Sequence, residues 1–255
     1  MTTPSAALPP IAVCLWQTGR SPLSQSESAL PGRGIIYLKR RGRTLGDPHR
    51  EEKTMAKLFY QGHGSFRLTS NDGFVIYVDP FAGEGYDVPA DIILVSHEHH
   101  DHNKLELCAQ KPDCIIERAS DFFHGGGGCH SRLHLDDRED IMIESVEAYN
   151  EKHDPKECVG FIIHMDGLQI YASGDTSRTK QMEEFAEREL DYAIFCGDGI
   201  YNMDLDEAAE CARLIKAKNN IIIHLQPQAL FNRERAEQWD APNKIIIEPN
   251  QEITL

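Results

Sequence analysis

Residues 91–102 read DIILVSHEHHDH. An apolar run of strand length with no polar alternation predicts a strand covered on both faces, and such strands lie inside parallel or mixed sheets flanked by further layers. This run ends in four histidines, a glutamate and an aspartate packed into six positions. A histidine-rich tract can be a solvated loop; it can also be half of a metal site, provided other segments supply the other half.

Other strand-like runs end in the same kind of residue. VEAYN leads into Glu151-Lys152-His153, LQIYAS into Gly174-Asp175-Thr176, and NIII into His224. Neighbouring strands lie about 4.8 Å apart, so four strand ends can deliver their groups to one rim. Imidazole plus carboxylate is the ligand set for Zn²⁺ and related first-row metals. On extended chain, His97 and His99 point the same way and can grip one ion, while Asp101 and His102 pass the chain on to a second.

The surrounding pattern suits such a rim. KLFYQ, SFRLTS and FVIYVD read as short strands separated by the turns GHG and NDG; CIIE, IMIESVEAY and VGFIIHM read as further strands. NKLELCAQ has the composition of a helix start, and TKQMEEFAEREL and DLDEAAECARLIKAK have helical spacing with acidic beginnings and basic ends. The strand-like DYAIFC, NIIIHL and NKIIIEP alternate with these helices. This order predicts sheets covered by helices in an α/β or α+β layered domain.

Composition narrows the partners. Hydrophobic residues make up 40% of the 255, enough for a sizeable core. No apolar run approaches the ~20 residues that cross a bilayer as a helix, so no membrane anchoring is expected. A formal net charge of −15 argues against nucleic acid as a partner and leaves a small-molecule substrate. The seven cysteines form no CxxC pair, and several sit in apolar runs such as YAIFC, which suits buried thiols in a reducing, cytoplasmic setting. The sequence is compatible with a homo-oligomer.

The charge is uneven. Residues 1–54 carry eight Lys/Arg against four Asp/Glu, a net +4, whereas residues 55–255 carry 18 against 37, a net −19. The first segment is rich in Pro, Ser, Gly and Arg without sustained periodicity, and reads as a disordered leader or as sequence upstream of a true start at Met55. The fold is expected in residues 55–255.

Five motifs in order, GHGSF, HEHHDH, AYNEKH, YASGDT and IIIHL, make the region from Met55 onward resemble the metallo-β-lactamase-fold hydrolase superfamily. It looks most like the compact branch that includes the L-ascorbate-6-phosphate lactonase-like proteins. The resemblance implies a four-layer αββα sandwich of two mixed β-sheets with metals at one sheet edge. Carried over, it implies a first ion held by His97, His99 and His153, a second held by Asp101, His102 and His224, and Asp175 bridging both. His100 falls at a variable position, and His63 is expected to have a structural or supporting role. The expected ions are two Zn²⁺, with Mn²⁺ or Fe²⁺ accepted by the same ligands.

Two ions roughly 3.5–4 Å apart lower the pKa of a shared water towards ~7, which suits attack on an ester, lactone, amide or phosphodiester bond. Asp101 is then both ligand and catalytic residue, orienting the nucleophile. Two alternatives stand beside this reading. A diiron redox protein on the same fold resembles H-x-E-x-D, but His99 stands where that glutamate would be; a non-catalytic metal-binding or sensing module fits less well with a complete ligand set. Lys152, Lys156, Arg178, Arg233 and Arg235 are near the expected rim and are read individually as solvated charges. The FFHGGGGCH stretch, His124 to His130, reads as a surface loop, with a flap or a third metal locus as the other options.

Overall fold

The structure is a computed structural model that describes residues 34–38, 55–123, 130–135 and 138–255. The glycine-rich residues 124–129 and most of the amino-terminal segment lie outside the described residues. Two mixed sheets pack face to face. The first has the order β14 (Gln251–Thr254), β2 (Lys57–Gly62), β3 (Ser65–Thr69), β4 (Val75–Val78), β5 (Ala90–Val95) and β6 (Gln110–Arg118). It is antiparallel from β14 to β4 and parallel from β4 to β6.

The second sheet has the order β1 (Gly34–Leu38), β7 (Ser131–Leu135), β8 (Arg138–Glu147), β9 (Val159–Met165), β10 (Leu168–Ala172), β11 (Tyr192–Cys196), β12 (Asn219–Ile223) and β13 (Lys244–Ile245). Strands β7 to β10 form an antiparallel meander, and β10 to β13 are parallel. Edge strand β1 comes from the segment set apart on composition and runs parallel to β7, with Gly34 opposite Ser131.

The unbroken apolar run of β5 has a simple cause, since all six of its residues are buried. Ile92 and Leu94 enter the core between the sheets, with Phe66 and Ile76 from neighbouring strands and Phe161, Ile163 and Ile194 from the opposite sheet. Ile93 points the other way and packs with Val75, Tyr77, Tyr86 and Cys108. Alternation with a period of two is hidden because both faces are covered.

The expected αββα layering is present but lopsided. The outer face of the second sheet is covered by α2 (Met182–Phe185), α3 (Leu205–Ile215) and α4 (Arg233–Gln238), which bury Met182, Phe185, Ala208, Ala212 and Ala236 against Tyr171 and Phe195. Helix α3 is capped by Asp204, whose side chain accepts from Glu207 N at 2.8 Å, and ends at Lys216 in left-handed backbone. TKQMEEFAEREL forms only the single turn of α2, and Glu189, at φ 54, breaks any continuation. Over the first sheet, NKLELCAQ makes only a 3₁₀ turn at Leu105–Leu107, and Tyr86 stacks on Tyr77 at 5.6 Å. A four-residue helix α1 (Ala119–Phe122) closes the end of β6.

Candidate metal centre

The carboxyl ends of several strands converge at one rim of the sandwich. His63 stands in the turn after β2, Asp79 follows β4, Ser96 and His97 follow β5, Asp175 comes three residues after β10, and His224 follows β12. His153 arrives on the loop after β8. Backbone bonds stitch the two sheets together here, from Val159 N to Ser96 O at 3.0 Å and from His224 N to His63 O at 2.9 Å. His63, Asp79 and His224 have left-handed backbone, with φ of 56, 48 and 48, at a cost of roughly 1–2 kcal/mol each. Gly174, at φ +60, is required in SGDT because a Cβ there would lie 2.8 Å from Val159 O.

Asp175 is the hub. Its Oδ2 lies 3.5 Å from His102 Nε2, 3.5 Å from His153 Nε2 and 3.7 Å from His224 Nε2. His224 Nε2 is also 3.9 Å from Asp101 Oδ2. The His97 ring centre lies 4.2 Å from His102, 4.6 Å from His99 and 4.9 Å from His153. Ligand-capable atoms fall into three groups, each within 4.8 Å: His97, His99 and His153; His97, His102 and Asp175; His63, Asp101 and His224. All seven residues expected from the sequence are therefore brought together. His100 joins none of these groups; its side chain is 74% exposed and meets Phe81 edge-on.

The ring orientations are set by partners that sequence reasoning did not single out. Ser96 Oγ donates to Asp79 Oδ2 at 2.7 Å, so it must accept from His97 Nδ1 at 3.0 Å, leaving the His97 Nε2 lone pair free. Asp79 Oδ2 also lies 3.0 Å from His102 Nδ1. Asn150 Oδ1 accepts from Lys152 N at 2.8 Å, which identifies it as the oxygen and makes His153 Nδ1, at 2.9 Å, a donor. Asp198 Oδ2 lies 3.5 Å from His224 Nδ1. An oxygen behind a metal-binding imidazole is the usual arrangement, supplied here by a hydroxyl at His97, an amide at His153 and carboxylates at His102 and His224. An aspartate closing the strand-like YVD was the one readable sign of Asp79.

His63, expected to have a supporting role, is fully buried, with Nδ1 3.0 Å from Ala229 O and Nε2 3.2 Å from Asp101 Oδ2. Tyr60 Oη lies 2.9 Å from the carbonyl of His63 and 3.0 Å from that of Leu230, and its single proton, shared between them, pins this turn. Glu98 ties the histidine loop to β6 through Arg118 at 2.6 Å.

The electrostatics suit a cation. Burial, aided by the imidazole of His102, pushes His97 down to about 2, and burial also lowers His153 and His224, so these rings remain neutral lone-pair donors. Burial works against the charge on Asp175, yet His224 and His102 hold its carboxyl well below the usual range. Asp101 is likewise held down against burial, by the His63 hydrogen bond and the His102 charge. At His102 burial opposes protonation, but Asp175 and Asp79 outweigh it and raise the ring well above its ordinary value. Among the described residues, His97 Nε2, both ring nitrogens of His102 and of His224, and Asp175 Oδ1 are buried without a well-aligned hydrogen bond, although Asp79 and Asp198 face the two Nδ1 atoms at 3.0 and 3.5 Å. Buried unpaired polar atoms are costly, and several converging on one volume fit bound cations.

A cavity of about 360 Å³ opens beside His97, His99 and His153, lined also by Ser120, Lys152, Lys156 and Cys158. Of the five basic residues noted in the sequence, Lys152 and Lys156 therefore border the centre. Arg178 pairs with Glu183, Arg233 with Glu237 and Glu248, and Arg235 donates to the carbonyls of Gly197 and Asp198. Burial pushes the Cys158 thiol up to about 12, which makes it a poor nucleophile. His130 accepts from Gln181 at 3.0 Å, and His164 pairs with Glu144 at 2.7 Å; neither joins the cluster. Residues 124–129 lie outside the described residues. No described helix is long and apolar enough to cross a membrane.

Two mixed sheets face to face, with imidazoles and carboxylates converging at one rim, define the metallo-β-lactamase fold. The family model of the beta-lactamase superfamily domain matches residues 57–224, and the chain belongs to that superfamily. A metal-dependent hydrolase of Pyrococcus abyssi is 25% identical over 227 residues, covering 79% of this chain and all of that protein. Another, from Pyrococcus furiosus, is 27% identical over 227 residues with the same coverage. Among solved structures, a metallo hydrolase from Ignicoccus hospitalis superposes with a TM-score of 0.63 at 22% identity, covering 79% of this chain and 99% of that one.

Proposed function

We propose that this protein is a hydrolase with a dinuclear metal centre, acting on an ester, lactone, amide or phosphodiester bond of a small molecule. His97, His99 and His153 would hold the first ion, Asp101, His102 and His224 the second, and Asp175 would bridge them. The observation that carries this reading is the set of three imidazole nitrogens ranged within 3.5–3.7 Å of the single oxygen Asp175 Oδ2. The names of the Pyrococcus relatives support the reaction class. The His/Asp donor set, with His99 at its second position, supports Zn²⁺ first, with Mn²⁺ or Fe²⁺ as substitutes.

When bound, divalent ions at such a centre supply Lewis acidity, bringing a water pKa down towards ~7 and polarising an acceptor oxygen. The chain does the rest. Ser96 and Asn150 keep the Nδ1 protons of His97 and His153 in place, so that each Nε2 presents a lone pair. Asp79 faces His102 Nδ1, so that the other proton of this ring, at Nε2, is the one given up when an ion binds. His63 holds Asp101, whose carboxylate is partly exposed and ionised and is therefore placed to orient a nucleophile by accepting its hydrogen bond. The cavity is of small-molecule size. The free thiols of Cys108, Cys158, Cys196 and Cys211 support a reducing, cytoplasmic setting.

The test is turnover of matched lactone, thioester, β-lactam and phosphodiester substrates by protein loaded with zinc or manganese, with Asp101→Ala as the comparison. Metal-dependent cleavage of one bond class is expected, and D101A should lose at least ~100-fold in kcat/KM with its fold intact. Full turnover by D101A would remove Asp101 from the mechanism.

A further inference from the structure

Two of the histidines around Asp175 are held by the same loop on their far side. His153 Nδ1 donates to Asn150 Oδ1 at 2.9 Å, and Asn150 Nδ2 donates to Tyr201 O at 2.7 Å. Tyr201 N donates to Asp198 Oδ1 at 2.8 Å, and Asp198 Oδ2 lies 3.5 Å from His224 Nδ1. The path therefore runs from His153 by hydrogen bonds through Asn150, one peptide and Asp198, and closes on His224 by a charge contact at 3.5 Å. The same two rings meet at their opposite nitrogens through Asp175 Oδ2, at 3.5 and 3.7 Å.

We propose that the loop from Asp198 to Asn202 is a positioning element that couples the two metal sites, clamping His153 and His224 together from outside as Asp175 does from inside. This rests on the dinuclear reading above. Asp198 Oδ1 is occupied by the backbone N–H groups of Ile200, Tyr201 and Asn202, at 2.7, 2.8 and 3.0 Å, so Oδ2, which also meets Asn202 Nδ2 at 3.5 Å, is the oxygen that faces His224 Nδ1, as a charge contact at 3.5 Å. Asn150 Oδ1 is occupied by Lys152 N and His153 Nδ1, so only its Nδ2 can reach the loop. The loop tip carries Ile200 and Tyr201, 63% and 48% exposed, so these hydrogen bonds hold the tip, while the Arg235 bonds to the carbonyls of Gly197 and Asp198 and the buried Met203 hold its two ends. A shift of the loop therefore moves both imidazoles.

Two substitutions cut the path at chosen links. In Asp198→Asn, the amide oxygen must stay with the three backbone donors, so its NH₂ faces His224 Nδ1–H, donor against donor. In Asn150→Asp, an oxygen still accepts from His153, but the other oxygen now faces the Tyr201 carbonyl and the loop link is lost. Zinc affinity of the wild type, N150D, D198N and the double variant is measured by competition with a chromophoric chelator, with circular dichroism of each metal-free protein as the folding control.

The proposal expects D198N to weaken one of two bound ions by roughly 10–100-fold. N150D should weaken that same ion by about tenfold or more, and the double variant should be no worse than D198N alone. Additive losses, or an N150D protein that keeps full affinity for that ion, would overturn the coupling. Should D198N not fold, the imidazole N–H resonance of His224 in zinc-loaded N150D decides: a shift supports the loop and an unmoved signal refutes it. A wild-type chain that takes up fewer than two zinc ions would instead overturn the dinuclear reading itself.

Discussion

Asp79 gives the sharpest test of how the centre is held. It is 3% exposed, accepts from Ser96 N and Ser96 Oγ at 2.7 Å each, and stands 3.0 Å from His102 Nδ1. Asp79→Asn keeps size and shape. Its amide oxygen can keep the Ser96 N–H, which puts the NH₂ group against both Ser96 Oγ and His102 Nδ1–H. The serine must then redirect its proton, which disturbs its acceptance from His97. The His102 ring must turn or move its proton to Nε2, where the lone pair facing Asp175 is lost.

Loss of a carboxylate behind a metal-binding histidine costs 10–100-fold in metal affinity, or about 1.4–2.7 kcal/mol. The metal-free protein should also lose about 1.5–3 kcal/mol from the broken charged hydrogen bond to Ser96 Oγ. Chelator competition measures the first quantity, and urea unfolding of the metal-free protein measures the second. D79N with wild-type affinity for both ions would refute the argument, because the geometry leaves His102 no other acceptor at that nitrogen among the described contacts. A loss of stability alone would make Asp79 a purely structural residue.

Two further outcomes are expected. Gly174→Ala places a methyl group 2.8 Å from Val159 O at φ +60, so it should cost at least ~1 kcal/mol and displace Asp175; a lowered Tm together with weaker zinc binding checks this. Glu117 on β6 is 6% exposed, and burial, with Asp121 adding to it, raises its carboxyl to about 7. Because the folded value exceeds the unfolded one, its contribution is full below about pH 4.5 and is lost as pH rises through about 7. Wild type should therefore lose on the order of 1–2 kcal/mol relative to Glu117→Gln between pH 5 and pH 8, measured by urea unfolding of the metal-free proteins; parallel stability curves would show that Glu117 is solvated.

The parts of this molecule readable from the chain are those whose signal is local. An apolar run such as DIILV announces a covered strand, and the residue after it shares its direction, so ligands carried at strand ends can be picked out within a few positions. That is why His97, His99, Asp101 and His102 were visible together, with His153, Asp175 and His224 following from equivalent places at other strand ends. The order of strand and helix patterns predicted sheets covered by helices, whereas the two-sheet sandwich was implied only by the resemblance to the superfamily.

The supporting contacts have no such signature. Asp79 and Ser96 meet across 17 residues and Asn150 and Tyr201 across 51, so those pairings exist only once the strands are in register. Charge and helical spacing in TKQMEEFAEREL were likewise overruled, because one turn sufficed to bury Met182 and Phe185 and Glu189 took up left-handed backbone. Local pattern thus names the donors, whereas the proton positions on their rings depend on partners brought from distant strands by packing.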